Sequence, residues 1–195
     1  MARPTLSEAA VALWAAGRLM RFDPVVWRTF DDSAETFWKS FWVALPVLPF
    51  YALMVGLHLG NLEAGGQSVQ AGWFQIALVE GLAYVISWTA FPLVLFHIAQ
   101  ALDKPQRFVP LVAALNWLNL PLLMVGSAAV VIADLELLGG LSGLLRIAAQ
   151  VYVLACLSHL VSKVLDVRGL AGFGIVLIGV FIDYFLLFAT TAALM

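Results

Sequence analysis

Five long apolar stretches, roughly 38–60, 72–102, 108–133, 141–165 and 170–194, follow one another along the chain with only short polar connections between them. A helix needs about 20 residues to cross about 30 Å of hydrocarbon, so each stretch is long enough to span a bilayer. The pattern predicts an all-α, polytopic membrane bundle of five transmembrane helices. It divides the chain into an N-terminal segment, 1–32, and a transmembrane domain, 33–195.

The first forty residues follow a different pattern. Leu6, Ala10, Leu13, Trp14, Gly17 and Met20 recur at helical spacing beside Arg18 and Arg21. That arrangement predicts an amphipathic helix lying in the headgroup region, with Arg18 and Arg21 at the membrane interface. A weakly ordered tail is the alternative. The stretch 9–17 has the length of a signal-peptide core, but Glu8 precedes it and two arginines follow, so no cleaved signal is expected. After Pro24, the run Asp31-Asp32-Ser33-Ala34-Glu35 reads as a helix start in which Asp32 or Ser33 caps and Glu35 reaches back. Trp38 and Trp42, one turn apart and next to Lys39, are expected to form an aromatic belt at the inner interface.

Proline and glycine refine the reading of the spans. Pro46 and Pro49 in the first, Pro92 in the second and Pro121 in the third each remove a backbone donor and predict a kink. Gly139 and Gly143, with Gly172, Gly174 and Gly179 in the last span, predict close helix packing.

Composition agrees with a lipid solvent: 63% of the 195 residues are hydrophobic, 11% are charged, and the mean hydropathy is +0.99. Soluble domains carry about 25% charged residues. The net charge of −2 offers no basic excess for nucleic acid, and Cys156, the single cysteine, excludes an intrachain disulfide or a cysteine zinc cage. The placement of the basic residues matters more than their sum. Arg3, Arg18, Arg21, Arg28 and Lys39 precede or open the first span, Lys104 and Arg107 occupy the second connection, and Lys163 and Arg168 the last. The intervening connections carry Glu63, and Asp134 with Glu136, and no basic residue. Because Lys and Arg are retained on the cytoplasmic side, this alternation predicts a cytoplasmic N-terminus and a periplasmic C-terminus.

Ionisable groups inside hydrocarbon cost about 2.5 to 3.5 kcal/mol even on lenient scales, so they must face protein or water. Two intramembrane groupings are expected. An outer one holds Glu80, Arg146 and Asp183; an inner one holds His97, His159, Asn116 and Asn119. Each grouping is either structural or part of a transport route. HExxH, GxGD, CxxC and Walker-type patterns are all missing from the sequence, which argues against an enzyme, a metal site or a bound cofactor.

The residues Phe22-Asp23, Thr36-Phe37-Trp38-Lys39-Ser40-Phe41, Tyr84-Val85-Ile86-Ser87-Trp88-Thr89-Ala90-Phe91-Pro92-Leu93 and Ala114-Leu115-Asn116-Trp117 resemble inner-membrane proteins of alphaproteobacteria. These in turn resemble bacterial members of the Yip family, whose eukaryotic relatives associate with Rab GTPases. The Asp-Leu-Tyr-Gly-Pro signature of the eukaryotic branch has no counterpart here, so the resemblance implies the five-span fold and no Rab association. The expected function is non-enzymatic: an inner-membrane protein working by association, as an accessory subunit or in organising the bilayer. Its expected partners are the lipid bilayer and either a membrane protein or further copies of itself. The alternative is a small proton- or solute-translocating transporter or channel using Glu80 and Asp183.

Overall fold

In the computed structural model, which describes residues 3–195, every regular element is helical. The helices are α1 (Leu6–Leu19), α2 (Ala34–Ser40), α3 (Ala44–Ala64), α4 (Trp73–Ala101), α5 (Phe108–Asp134), α6 (Ser142–Leu165) and α7 (Gly169–Leu194). Five segments, Ala34–Ala64, Trp73–Ala101, Pro105–Asp134, Gly139–Leu165 and Gly169–Leu194, are long and apolar enough to cross a membrane.

The first span is not one continuous helix. A short 3-10 segment, Phe41–Val43, separates α2 from α3. Pro46 follows in the first turn of α3, where its missing N–H leaves the Trp42 carbonyl without an α-helical partner. Pro49, Pro92 and Pro121 lie inside α3, α4 and α5, and those helices run on through them.

The central element is α5. Leu111, Val112, Ala113, Ala114 and Leu118 along it are fully enclosed, and α1, α2, α3, α4 and α6 all pack on it. The outermost helix, α7, lies against α6 and α4. Gly172 and Gly179 permit this: a Cβ at Gly172 would lie 2.0 Å from Ser162 Oγ, and one at Gly179 would lie 3.1 Å from the Phe91 ring. Gly139, Gly143 and Gly174 meet nothing within 4 Å, so close packing belongs to the other two glycines.

The N-terminal segment is part of the core. Through Ala12, Ala15, Ala16 and Leu19, α1 packs on the bundle, while the Leu6, Leu13 and Trp14 stripe faces outward. The face holding α1 down is the alanine face, because small side chains allow close approach to α5. A capping box between Thr5 and Glu8 starts this helix. The second helix start differs from expectation in one detail: Ser33 caps through the Thr36 amide, but Glu35 pairs with Lys39 instead of reaching back.

Beyond α1 the chain turns through Phe22, whose φ of +60° is a left-handed conformation that a bulky residue rarely adopts. Its ring packs edge-on against Tyr152 and His159 of α6, and the Tyr152 hydroxyl donates to the Met20 carbonyl at 2.8 Å. The loop cations close the same end of the bundle. Lys104 Nζ donates to the Leu165 carbonyl at 2.7 Å and Arg107 to the Val164 carbonyl at 2.8 Å, which caps the C-terminus of α6. At the other end, the amides of Gln70 and Ala71 donate to Leu194, tying the end of α7 to the first uncharged-to-acidic connection.

Candidate functional site

The polar side chains within the bundle converge on a cavity of about 420 Å3 between α3, α4, α5 and α7. Helical spacing brings them there. Tyr51 and His58 are two turns apart on α3, Glu80 and Tyr84 one turn apart on α4, and Asp183 and Thr190 two turns apart on α7. Asn119 of α5 completes the wall. The Tyr51 hydroxyl donates to Glu80 Oε2 at 2.7 Å, and His58 Nε2 lies 3.1 Å from Thr191 Oγ1. The Tyr84 hydroxyl donates to the Ala44 carbonyl, so hydroxyls of two α3–α4 pairs bridge helices whose backbones touch little.

Two smaller cavities adjoin it. One, of about 150 Å3, shares Ser87, Trp88, Asn119 and Asp183 and runs along α4 and α7 toward Leu95 and Val176; Asn116 also lines it. The other, of about 200 Å3, lies between α5 and α6, where Asn119 and Met54 meet Ser127, Arg146 and Gln150. Asn119 therefore stands at the junction of all three.

The outer grouping expected from sequence is divided in the structure. Glu80 and Asp183 share the main cavity, but Arg146 forms its ion pair with Asp134, on the far side of Asn119. Asp134 ends α5 one connection before α6, so it reaches Arg146 directly, and its place in a loop by sequence gives no sign of that pairing. The inner grouping is divided too. Asn116 donates to Ser40 Oγ at 2.9 Å in the enclosed contact between α2 and α5. His159 is half-buried against Phe22, with its Nε2 enclosed and unpaired among the described residues. His97 is exposed on α4 with its ring edge-on to Phe96. Among the described residues no group of three or more His, Cys, Asp or Glu side chains comes together as metal ligands would.

Tyr51, His58 and Tyr84 are site residues that sequence reasoning missed. Their signal was present: a Tyr and a His seven residues apart share a helical face, and Tyr84 stands four residues from Glu80.

The residues expected at the membrane interface lie on and just after α1 and around the start of the first span. Lys39 is held by Glu8 at 2.7 Å and by Glu35, and Arg18 pairs with Asp23 while lying 5.5 Å from the Trp14 ring. Arg21 is exposed at the end of α1. Trp38 and Trp42 are exposed and line an apolar groove of about 590 Å3 with Phe37, Phe41, Pro92 and Phe96. Two carboxyls near α1 are held in their charged forms. The Lys39 ammonium and the Thr5 amide hold the Glu8 carboxyl down at about 2, and the Val25 amide and Arg18 lower Asp23.

The Yip1 domain model matches residues 17–190, from the end of α1 to the last turns of α7. The chain belongs to the Yip1 family. No curated protein and no solved structure matches it. The matched region takes in the polar cavity, the groove beside Trp38 and the clamp around Phe22, so these features lie within the Yip1 domain. Family membership and five apolar helices place the protein in a lipid bilayer as a multi-pass protein.

Proposed function

We propose that this Yip1-family chain works by association in a bacterial inner membrane, with its N-terminus cytoplasmic, organising the bilayer around an interfacial α1. The observation that carries this reading is the two-sided character of α1. Its alanine face is locked onto α5, while Leu6, Leu13 and Trp14 point away from the protein at 92%, 42% and 57% exposure. A short helix that is fixed to the bundle and apolar on its free side inserts that side among acyl chains at the headgroup boundary. Arg18 and Arg21 at its end suit the anionic surface of the inner leaflet. Such a helix occupies area in one leaflet only, which is the means by which a rigid bundle acts on membrane shape or on a neighbouring membrane protein.

The triple substitution Leu6→Glu, Leu13→Glu, Trp14→Glu tests this, since it leaves the buried face untouched. The expected outcome is a protein that folds and inserts but no longer changes the size distribution of proteoliposomes seen by electron microscopy. Vesicles shaped alike by the unaltered and the substituted protein would refute the proposal.

A further inference from the structure

The hydrogen bonds around the main cavity leave it with a one-sided chemistry. Its hydroxyl groups spend their protons elsewhere: Tyr51 on Glu80, Tyr84 on the Ala44 carbonyl, Ser87 on the Tyr84 carbonyl at 2.9 Å and Thr190 on the Leu187 carbonyl at 3.2 Å. What remains toward the cavity is lone pairs, to which the Glu80 and Asp183 carboxylates add theirs. No Lys or Arg lines the space, and no cation lies within ion-pair distance of either carboxylate among the described residues. Arg146, which lines an adjoining cavity, is engaged by Asp134, and His58 faces Thr191. Asn119 is the one amide donor in the wall.

The same wall carries aromatic faces. The Tyr51 and Tyr84 rings stand 4.8 Å apart and the Tyr84 and Trp88 rings 6.0 Å apart, forming a continuous row. Carboxylates, acceptor-only hydroxyls and adjoining aromatic rings all favour a positively charged donor, through charge-assisted hydrogen bonds and attraction to the ring faces. An uncompensated carboxylate in this setting is costly, so the site gains most from a ligand that brings the charge. The volume, about 420 Å3, falls in the range of small-molecule sites.

We infer that the cavity between α3, α4, α5 and α7 is a binding site for a primary alkylammonium group, held by Glu80 and Asp183 against the Tyr51, Tyr84 and Trp88 row. The group is either a free small amine or the headgroup of an ethanolamine phospholipid. Binding needs no gradient and no translocation, and it is independent of the action proposed for α1.

The test is thermal unfolding of the full chain at fixed pH and ionic strength. In mild detergent, ethanolammonium chloride is titrated against propanol, its neutral counterpart, and against sodium chloride. In a second arm, nanodiscs of phosphatidylglycerol are compared with and without phosphatidylethanolamine. A saturable rise in unfolding temperature with ethanolammonium assigns a free amine; a rise confined to the phosphatidylethanolamine discs assigns the headgroup. In whichever arm responds, Glu80→Gln with Asp183→Asn raises the half-saturating amount at least about tenfold. No saturable rise in either arm overturns the inference, as does an equal rise with propanol or sodium. An unchanged titration in the folded double variant overturns it too. Should that variant fail to fold, the contrast between ethanolammonium and propanol on the unaltered chain decides.

Discussion

Glu8 shows how one exposed carboxylate joins elements far apart in the chain. It accepts from the Thr5 amide at 2.8 Å and from Lys39 Nζ at 2.7 Å, so it starts α1 and fastens it to α2. Its carboxyl is held at about 2 against an ordinary 4.5, so its contribution to stability is complete above about pH 4.5 and is lost as pH falls through about 2. Asp23 and Asp31 are lowered in the same direction, the latter by the Thr36 and Ser33 hydroxyls, and add to the same acid limb. Unfolding temperature in detergent should therefore decline below about pH 4.5, and Glu8→Gln should make that decline shallower. An acid limb of the same steepness in that variant would show that Glu8 takes no part. Thr5 and Glu8 are three residues apart in the chain, whereas Lys39, thirty-one residues from Glu8, is brought to it by tertiary packing.

At the scale of elements, helix crossing is set by where side chains are missing. Alanine normally improves a helix relative to glycine by about 0.5 to 1 kcal/mol. Gly172→Ala should nonetheless destabilise, by about 1 to 3 kcal/mol, because its Cβ would displace Ser162 Oγ from the Ser158 carbonyl, which that hydroxyl now meets at 2.6 Å. Gly174→Ala, with open space around it, should be neutral or mildly stabilising in the same unfolding assay. Equal behaviour of the two variants would remove the close α6–α7 crossing. Glycine spacing in the sequence could not separate these positions, since it reports which faces are thin and says nothing of which face meets a neighbour. Proline was clearer at Pro46, where the helical path breaks just before the ring, than at Pro92 and Pro121, where the helices run on through it.

For the whole molecule, the two termini belong to opposite ends of the bundle. The N-terminal segment closes over Lys104, Arg107 and the end of α6, whereas Leu194 accepts from Gln70 and Ala71. The proposed orientation, which rests on loop charge, puts the end rich in Lys and Arg in the cytoplasm. Alkaline phosphatase fused after Met195 should be active and a green fluorescent reporter there dark, with the reverse after Asp103. Fluorescence at Met195 would invert the proposed orientation.

Hydrophobic length and the alternation of basic connections determined the number of spans from sequence alone, because a bilayer imposes its thickness on each segment independently of the others. Which polar groups meet was left to the tertiary structure. Every helix offers several faces, and rotation about its axis decides the partner: Glu80 meets Tyr51 rather than Arg146, and Asn116 meets Ser40 rather than a histidine. That rotation follows from packing on α5, a property of all the spans together that no single stretch of sequence encodes.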